Sequence, residues 1–170
     1  MALPTEAAVH ETVAIGLGAN LGDMRRVLAE AVQAIAQLEQ TRLLAVSSLY
    51  RTAPVNAGGD DYLNAVALVH TRMQPLAFLH SLQALEERAG RERPYRNAPR
   101  PLDLDIELWG GRHMDAPELQ IPHPRMHERA FVLVPLAEIA PGCVTPAQLQ
   151  AVAGQRIEVW LAQGWENSSI

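Results

Sequence analysis

Arg100-Pro101-Leu102-Asp103-Leu104-Asp105-Ile106-Glu107-Leu108 alternates acidic and apolar residues, and it concentrates the chain's clearest potential for chemistry. On an extended strand, side chains two apart point the same way with Cα atoms roughly 6 to 7 Å apart. Asp103, Asp105 and Glu107 would therefore crowd one face and repel one another unless a cation intervenes. Arg88, Arg91, Arg93, Arg96 and Arg100 precede the acids in a stretch rich in loop-forming residues. Guanidinium forks on one side and carboxylate-bound Mg²⁺ on the other are a recurrent way of holding a polyphosphate. A second reading also fits the spacing: Leu102, Leu104, Ile106 and Leu108 bury one face while the acids face water.

The elements that must position this strand follow from periodicity. Thr12–Gly18 is a short β-rich run, and from Met24 the positions Met24, Val27, Leu28, Ala31, Val32, Ile35 and Leu38 recur at helical spacing. Leu43–Tyr50 reads as one strand, ended by Pro54. Tyr62–Val69 alternates as another, placing Tyr62 and Asn64 on one face. Pro75 opens a helix striped by Leu76, Leu79, Leu82 and Leu85, with Gly90 as its stop. The acidic strand follows. This order predicts an α+β fold with a ferredoxin-like βαββαβ core, an antiparallel sheet with two helices on one face. Beyond it, the pattern predicts a helix over His127–Glu138 and a strand over Ile157–Leu161. One domain is expected over residues 1–170, with a core at about 12–141 and an extension at 142–170.

Composition narrows the chemistry. All 14 basic residues are arginine, so a P-loop lysine, a Schiff-base lysine and a kinase-type strand lysine are excluded. The net charge of −5 argues against a nucleic-acid face, leaving a small anionic ligand as the better fit. The single cysteine, Cys143, cannot form an internal disulfide. With no basic leader and no long apolar run, a cytoplasmic location without membrane attachment is expected.

Three further motifs each have two readings. Gly16-Leu17-Gly18-Ala19-Asn20-Leu21-Gly22 is off-register for a dinucleotide fingerprint, and its spacing favours glycines that ease a strand-to-helix connection. Tyr62 and Asn64 offer an aromatic plate and an amide to a flat heterocycle, with Thr52, Pro54 and Val55 close enough to complete a pocket, or they are ordinary sheet residues. His123, in a Pro-His-Pro turn near Arg129 and Phe131, is a metal ligand, a phosphate donor or a capping residue. The histidines lack zinc-site spacing.

Taken in order, Ile15–Gly22, Ser47–Thr52, Asp61–Ala65, Arg100–Asp105 and Pro122–Met126 resemble the motifs of the 6-hydroxymethyl-7,8-dihydropterin pyrophosphokinase family of folate biosynthesis, over about Thr12–Pro141. The resemblance implies transfer of diphosphate from ATP to the hydroxymethyl oxygen of the pterin, leaving AMP. It assigns Asp103 and Asp105 as ligands of two Mg²⁺ ions, and Arg91 and Arg100 as transition-state cations. It places the pterin between Tyr62 and Phe131, edged by Thr52, Pro54, Val55 and Asn64. It gives the nucleotide to Gln83, Glu86, Arg91, Arg93, Arg100, Ile106, His123 and Arg129. It carries over no role for Glu107, implies a lid between Gly90 and Arg100, and suggests that the hydroxyl loses its proton near Asp105. A monomer is expected. Ala53, Asn97-Ala98, Pro101 and Pro124 depart from the familiar pattern, in loop packing and around the adenine. The competing class is a non-catalytic ferredoxin-like module such as an RNA binder, against which stand the acidic charge and the lack of an RNP-type aromatic signature.

Overall fold

The computed structural model describes residues 11–54, 59–90 and 101–167. Strand β1 (Glu11–Ala19) turns through Gly22, whose φ of +68° suits glycine, into helix α1 (Met24–Ala36). Asp23 caps that helix by accepting from the Arg26 N–H at 3.3 Å. Its Leu28, Ala31, Val32 and Ile35 face the core, as the spacing predicts. Strands β2 (Thr41–Val46), β3 (Leu49–Thr52) and β4 (Tyr62–Thr71) follow, then helix α2 (Pro75–Gly90) and strand β5 (Asp103–Trp109). Short strands β6 (Met114–Asp115) and β7 (Gln120–Ile121) form a hairpin, and helix α3 (Ala130–Ile139), helix α4 (Pro146–Ala151) and strand β8 (Ile157–Leu161) complete the series.

All the pairings are antiparallel, in the order β5-β1-β4-β3-β8, with β2 also on β4. Counting β2 and β3 as one interrupted strand, this is the expected ferredoxin-like arrangement extended by β8. Ile15, Leu17, Leu104 and Ile106 pack with Leu28, Ile35, Phe78 and Leu82 of α1 and α2 in one core. Ala14, Val66 and Leu68 on the opposite sheet face pack under Leu133 and Leu136 of α3 in a second. Helix α3 thus covers part of the face that the two crossover helices leave open.

Three expectations are corrected. The predicted strand over Leu43–Tyr50 is two strands, because at the break the Ser47 Oγ accepts from the Val66 N–H at 2.9 Å, while the Ser47 N–H donates to the Val66 carbonyl at 2.9 Å. The helix predicted from His127 starts at Ala130, after a 3-10 turn at Met126–Glu128, because Arg129 is extended at φ −122° and ψ 109°. On β5, Leu108 does not share a face with Leu104 and Ile106. The register against β1 jumps from Ile15↔Ile106 to Ala14↔Leu108, so Glu107 is an extra residue in a bulge and Leu108 joins the core under α3.

The C-terminal section is tied in by polar contacts. The indole N–H of Trp165 donates to the Ser47 carbonyl at 2.9 Å, and the Trp165 carbonyl accepts from Arg25 on α1 at 3.2 Å. Glu138 near the end of α3 accepts from the Ser48 N–H and hydroxyl, from the Tyr50 hydroxyl and from Gln163. Burial pushes the Glu138 carboxyl up, but the donors from Tyr50, Ser48 and Gln163 together outweigh it and hold the group below its ordinary value. With the folded value depressed, Glu138 contributes fully above the ordinary 4.5 and loses its contribution as pH falls through the lowered folded value. Glu138→Gln is therefore expected to cost about 2 kcal/mol at pH 7. In urea unfolding the gap from wild type should narrow as pH falls below 4.5; a gap independent of pH would contradict the assignment.

Candidate active site

On the sheet face shared with α3, β1 carries glycine at 16 and 18, opposite Val66 and Asn64 of β4 on one side and Asp105 and Asp103 of β5 on the other. Of the glycines expected to ease the strand-to-helix connection, Gly22 does so, whereas Gly16 and Gly18 lie inside the strand. A Cβ at Gly18 would sit 2.9 Å from the Asn64 Nδ2, and one at Gly16 would sit 2.6 Å from the Glu107 Oε1. Both side chains occupy the space that a larger residue would take. The result is a trough across the middle of the sheet, with an amide at one end and a carboxyl at the other.

This trough is the floor of a cavity of about 420 Å³. Thr52, Pro54, Tyr62, Asn64, Asp103, Asp105, Arg129 and Phe131, all predicted from sequence, line it. The Thr52 hydroxyl donates to the Asn64 Oδ1 at 2.6 Å, which orients the amide and leaves its Nδ2 hydrogens as donors. Tyr62 and Phe131 are half-buried on the cavity wall, and the Arg129 guanidinium lies 5.3 Å from the Phe131 ring centroid. Of the acids, Asp103 is exposed, Asp105 half-buried and Glu107 only 1% exposed. Burial pushes Glu107 up to about 8, Asp105 adds to that shift and Arg129 opposes it.

A second hollow of about 610 Å³ shares Asp105 with the first and brings Ile106 and His123 together beside Leu79 and Leu119. The His123 Nδ1 accepts from the Arg125 N–H at 3.1 Å, which leaves Nε2 as the hydrogen-bearing nitrogen of the neutral ring. Burial holds His123 below its ordinary value; Asp105 opposes this, and Arg129 and Arg125 reinforce it. The His123 N–H also donates to the Glu107 carbonyl at 2.9 Å, tying this loop to the bulge in β5. Glu86 accepts from the Leu104 N–H at 3.0 Å and so steadies the start of β5, whereas Gln83 is exposed on α2 and lines neither hollow. Val55, Arg91, Arg93, Arg96 and Arg100, together with the expected lid, lie outside the described residues.

Glu107 lines the cavity on the face it shares with the two aspartates, as alternation predicts, but alternation does not reveal its near-complete burial. One contributor was not apparent in the sequence. Gln155, between α4 and β8, accepts from the Ala130 N–H at 2.9 Å and donates to the Glu128 carbonyl at 2.7 Å, so it grips the backbone on both sides of Arg129. No local motif marks such a long-range clamp.

One cavity of this α+β fold thus brings the half-buried Tyr62 and Phe131 together with the β5 aspartates, beside a hollow that holds His123. Residues 14–141 match the 7,8-dihydro-6-hydroxymethylpterin-pyrophosphokinase (HPPK) family. The 2-amino-4-hydroxy-6-hydroxymethyldihydropteridine pyrophosphokinase of Pseudomonas aeruginosa is 44% identical over 137 residues, which cover 80% of this chain and 85% of that protein. The enzyme of the same name from Bacillus subtilis is 38% identical over 149 residues, covering 86% and 88%. The chain belongs to this pyrophosphokinase family. Among solved structures, a Plasmodium falciparum HPPK-DHPS superposes with a TM-score of 0.63 at 14% identity, covering 81% of this chain and 43% of that one. An HPPK-DHPS in complex with substrates gives 0.60 at 12% identity, covering 85% and 42%. The chain thus spans well under half the length of those solved chains, and they share its fold.

Gly18→Ala is expected to displace the Asn64 amide and break its bond with Thr52 without unfolding the protein. A loss of about 1 to 2 kcal/mol should follow, lowering Tm by roughly 3 to 6 °C in a scanning-calorimetry comparison. An unchanged Tm would show that the trough tolerates a methyl group.

Proposed function

We propose that this chain transfers the β,γ-diphosphate of ATP to the hydroxymethyl oxygen of 6-hydroxymethyl-7,8-dihydropterin, releasing AMP, as a Mg²⁺-dependent enzyme of folate biosynthesis. The observation that carries the reading is the one cavity in which Tyr62 and Phe131 meet the paired aspartates of β5, in a chain of the pyrophosphokinase family. The pterin lies across the glycine trough between the two rings, with its polar edge on Thr52 and Asn64 and its hydroxymethyl arm toward β5. Pro54 closes that edge, and Val55 is proposed to join it from its place in the sequence alone. The nucleotide occupies the neighbouring hollow against Ile106 and His123, with Glu86 and Gln83 on the α2 side and Arg129 near the phosphates.

The residues present suit the metal. Asp103 and Asp105 offer only oxygen donors, which hard cations prefer. Among the described residues no cluster of three or more His, Cys, Asp or Glu could hold a metal. Mg²⁺ in phosphoryl-transfer sites commonly takes one or two carboxylates and completes its shell with phosphate and water. Asp103 and Asp105 would hold two such ions, which when bound neutralise the phosphate charge and fix its orientation. The protein's own contribution is alignment: the aromatic walls exclude water, the Nε2 hydrogen of His123 can donate to a phosphate oxygen, and Arg129 adds charge. Arg91, Arg93 and Arg100 supply further cations, with Arg91 and Arg100 acting on the transition state.

Among the described residues no helix is long and apolar enough to cross a membrane. A cytoplasmic monomer acting on two small molecules, with residues 1–170 as one catalytic unit and no nucleic-acid partner, completes the reading.

Incubation with Mg²⁺, ATP and the hydroxymethyl pterin should release AMP; ADP as the nucleotide product, or no turnover by folded protein, would refute the reading. Asp103→Asn and Asp105→Asn should each retain the fold by circular dichroism while turnover falls by about 100-fold or more. Full activity in either variant would remove that carboxylate from the metal set.

A further inference from the structure

The three acids of β5 are not equivalent. Asp103 and Asp105 face the cavity from its rim, whereas Glu107 lies beneath them, almost wholly buried, with its Oε2 lacking any hydrogen-bond partner among the described residues. An unsatisfied carboxyl oxygen in such a place is costly, and an apolar side chain at the bulge would fill the same space without that penalty. The chain also keeps glycine at position 16, where a methyl group would collide with Oε1 at 2.6 Å. Two positions on neighbouring strands are thus matched to keep a carboxyl group at this depth.

The cavity indicates what the group would meet. The Asn64 amide lies over Gly18 and the Glu107 carboxyl over Gly16, positions about 7 Å apart along β1, so the trough from amide to carboxyl has about the reach of a bicyclic ring and its one-carbon arm. With the ring's polar edge on Thr52 and Asn64, the arm arrives at β5. We propose that Glu107 is a substrate-contacting specificity residue whose carboxyl group accepts a hydrogen bond from the reacting hydroxymethyl group. The inference rests on the pterin reading of the cavity. A carboxyl group has a lone pair for this hydroxyl whether or not it carries a proton, so the contact does not depend on its charge. It would hold the oxygen of the arm at β5 in a fixed orientation, and it would disfavour ring systems whose arm lacks a hydroxyl, since these leave the buried carboxyl short of a partner.

The test compares binding of 6-hydroxymethyl-7,8-dihydropterin and 6-methyl-7,8-dihydropterin by titration calorimetry, with Mg²⁺ and a non-hydrolysable ATP analogue present. Wild type should prefer the hydroxymethyl compound by about 10-fold. Glu107→Leu should reduce that preference to about twofold or less while retaining affinity for the methyl compound, and Glu107→Gln, which keeps an acceptor oxygen, should preserve most of it. If the Leu variant fails to fold, Gly16→Ala decides the question, because its methyl group displaces the carboxyl and should erase the same preference. A preference unchanged by Glu107→Leu or, failing that, by Gly16→Ala overturns the proposal, as does an equal loss of affinity for both compounds. Wild type that binds neither pterin overturns the functional reading itself, a distinct outcome visible before any variant is made.

Discussion

The site depends on a steric constraint: the middle of the central strand has no side chains on one face. Gly16 and Gly18 lie in β1, between β4 and β5, where the sheet is continuously hydrogen-bonded and cannot widen to admit a ligand. Room comes only from omitting Cβ atoms. Helix α3 covers the same face further along, over Ala14, Val66 and Leu68, so the face divides into an apolar half sealed by a helix and a polar half left open. Arg129 and Phe131 stand at that boundary, because α3 begins only after the extended Arg129.

The start of α3 is therefore a position the rest of the fold must hold, and the C-terminal section helps to hold it. Gln155 binds the backbone at Glu128 and Ala130, and Glu138 ties the far end of α3 to Ser48 and Tyr50. Strand β8 pairs with β3, which carries Thr52 into the cavity, and Trp165 anchors the tail at the β2–β3 break. A segment that supplies no lining residue to the cavity other than through such contacts nonetheless fixes two of its walls. A substitution in it would reach the site through the backbone.

Much of this was legible in the sequence because the signals were local. Pro75 and the leucine stripe define α2, the alternation from Asp103 to Ile106 defines β5, and Tyr62 and Asn64 meet Thr52 because strand geometry requires it. The departures were long-range in origin. The Ser47–Ser48 break exists because a serine side chain takes a backbone hydrogen bond from another strand, and helix propensity around His127 gives way to an extended Arg129 gripped by a glutamine 26 residues later. The bulge at Glu107 depends on the register of β5 against β1. No periodicity encodes these, since each is settled by a partner distant in the chain.

Burial of Glu107 also resolves the electrostatic problem posed by three acids on one strand. On a strand of constant depth, three carboxylates would have followed one another along one face. Instead, burial pushes Glu107 up to about 8, so near neutral pH it is mostly uncharged. A strand that looks threefold acidic thus places two aspartates on the cavity wall and one largely neutral carboxyl beneath them. A neutral carboxyl at that depth adds no further repulsion toward phosphates, which suits the diphosphate transfer proposed for this site.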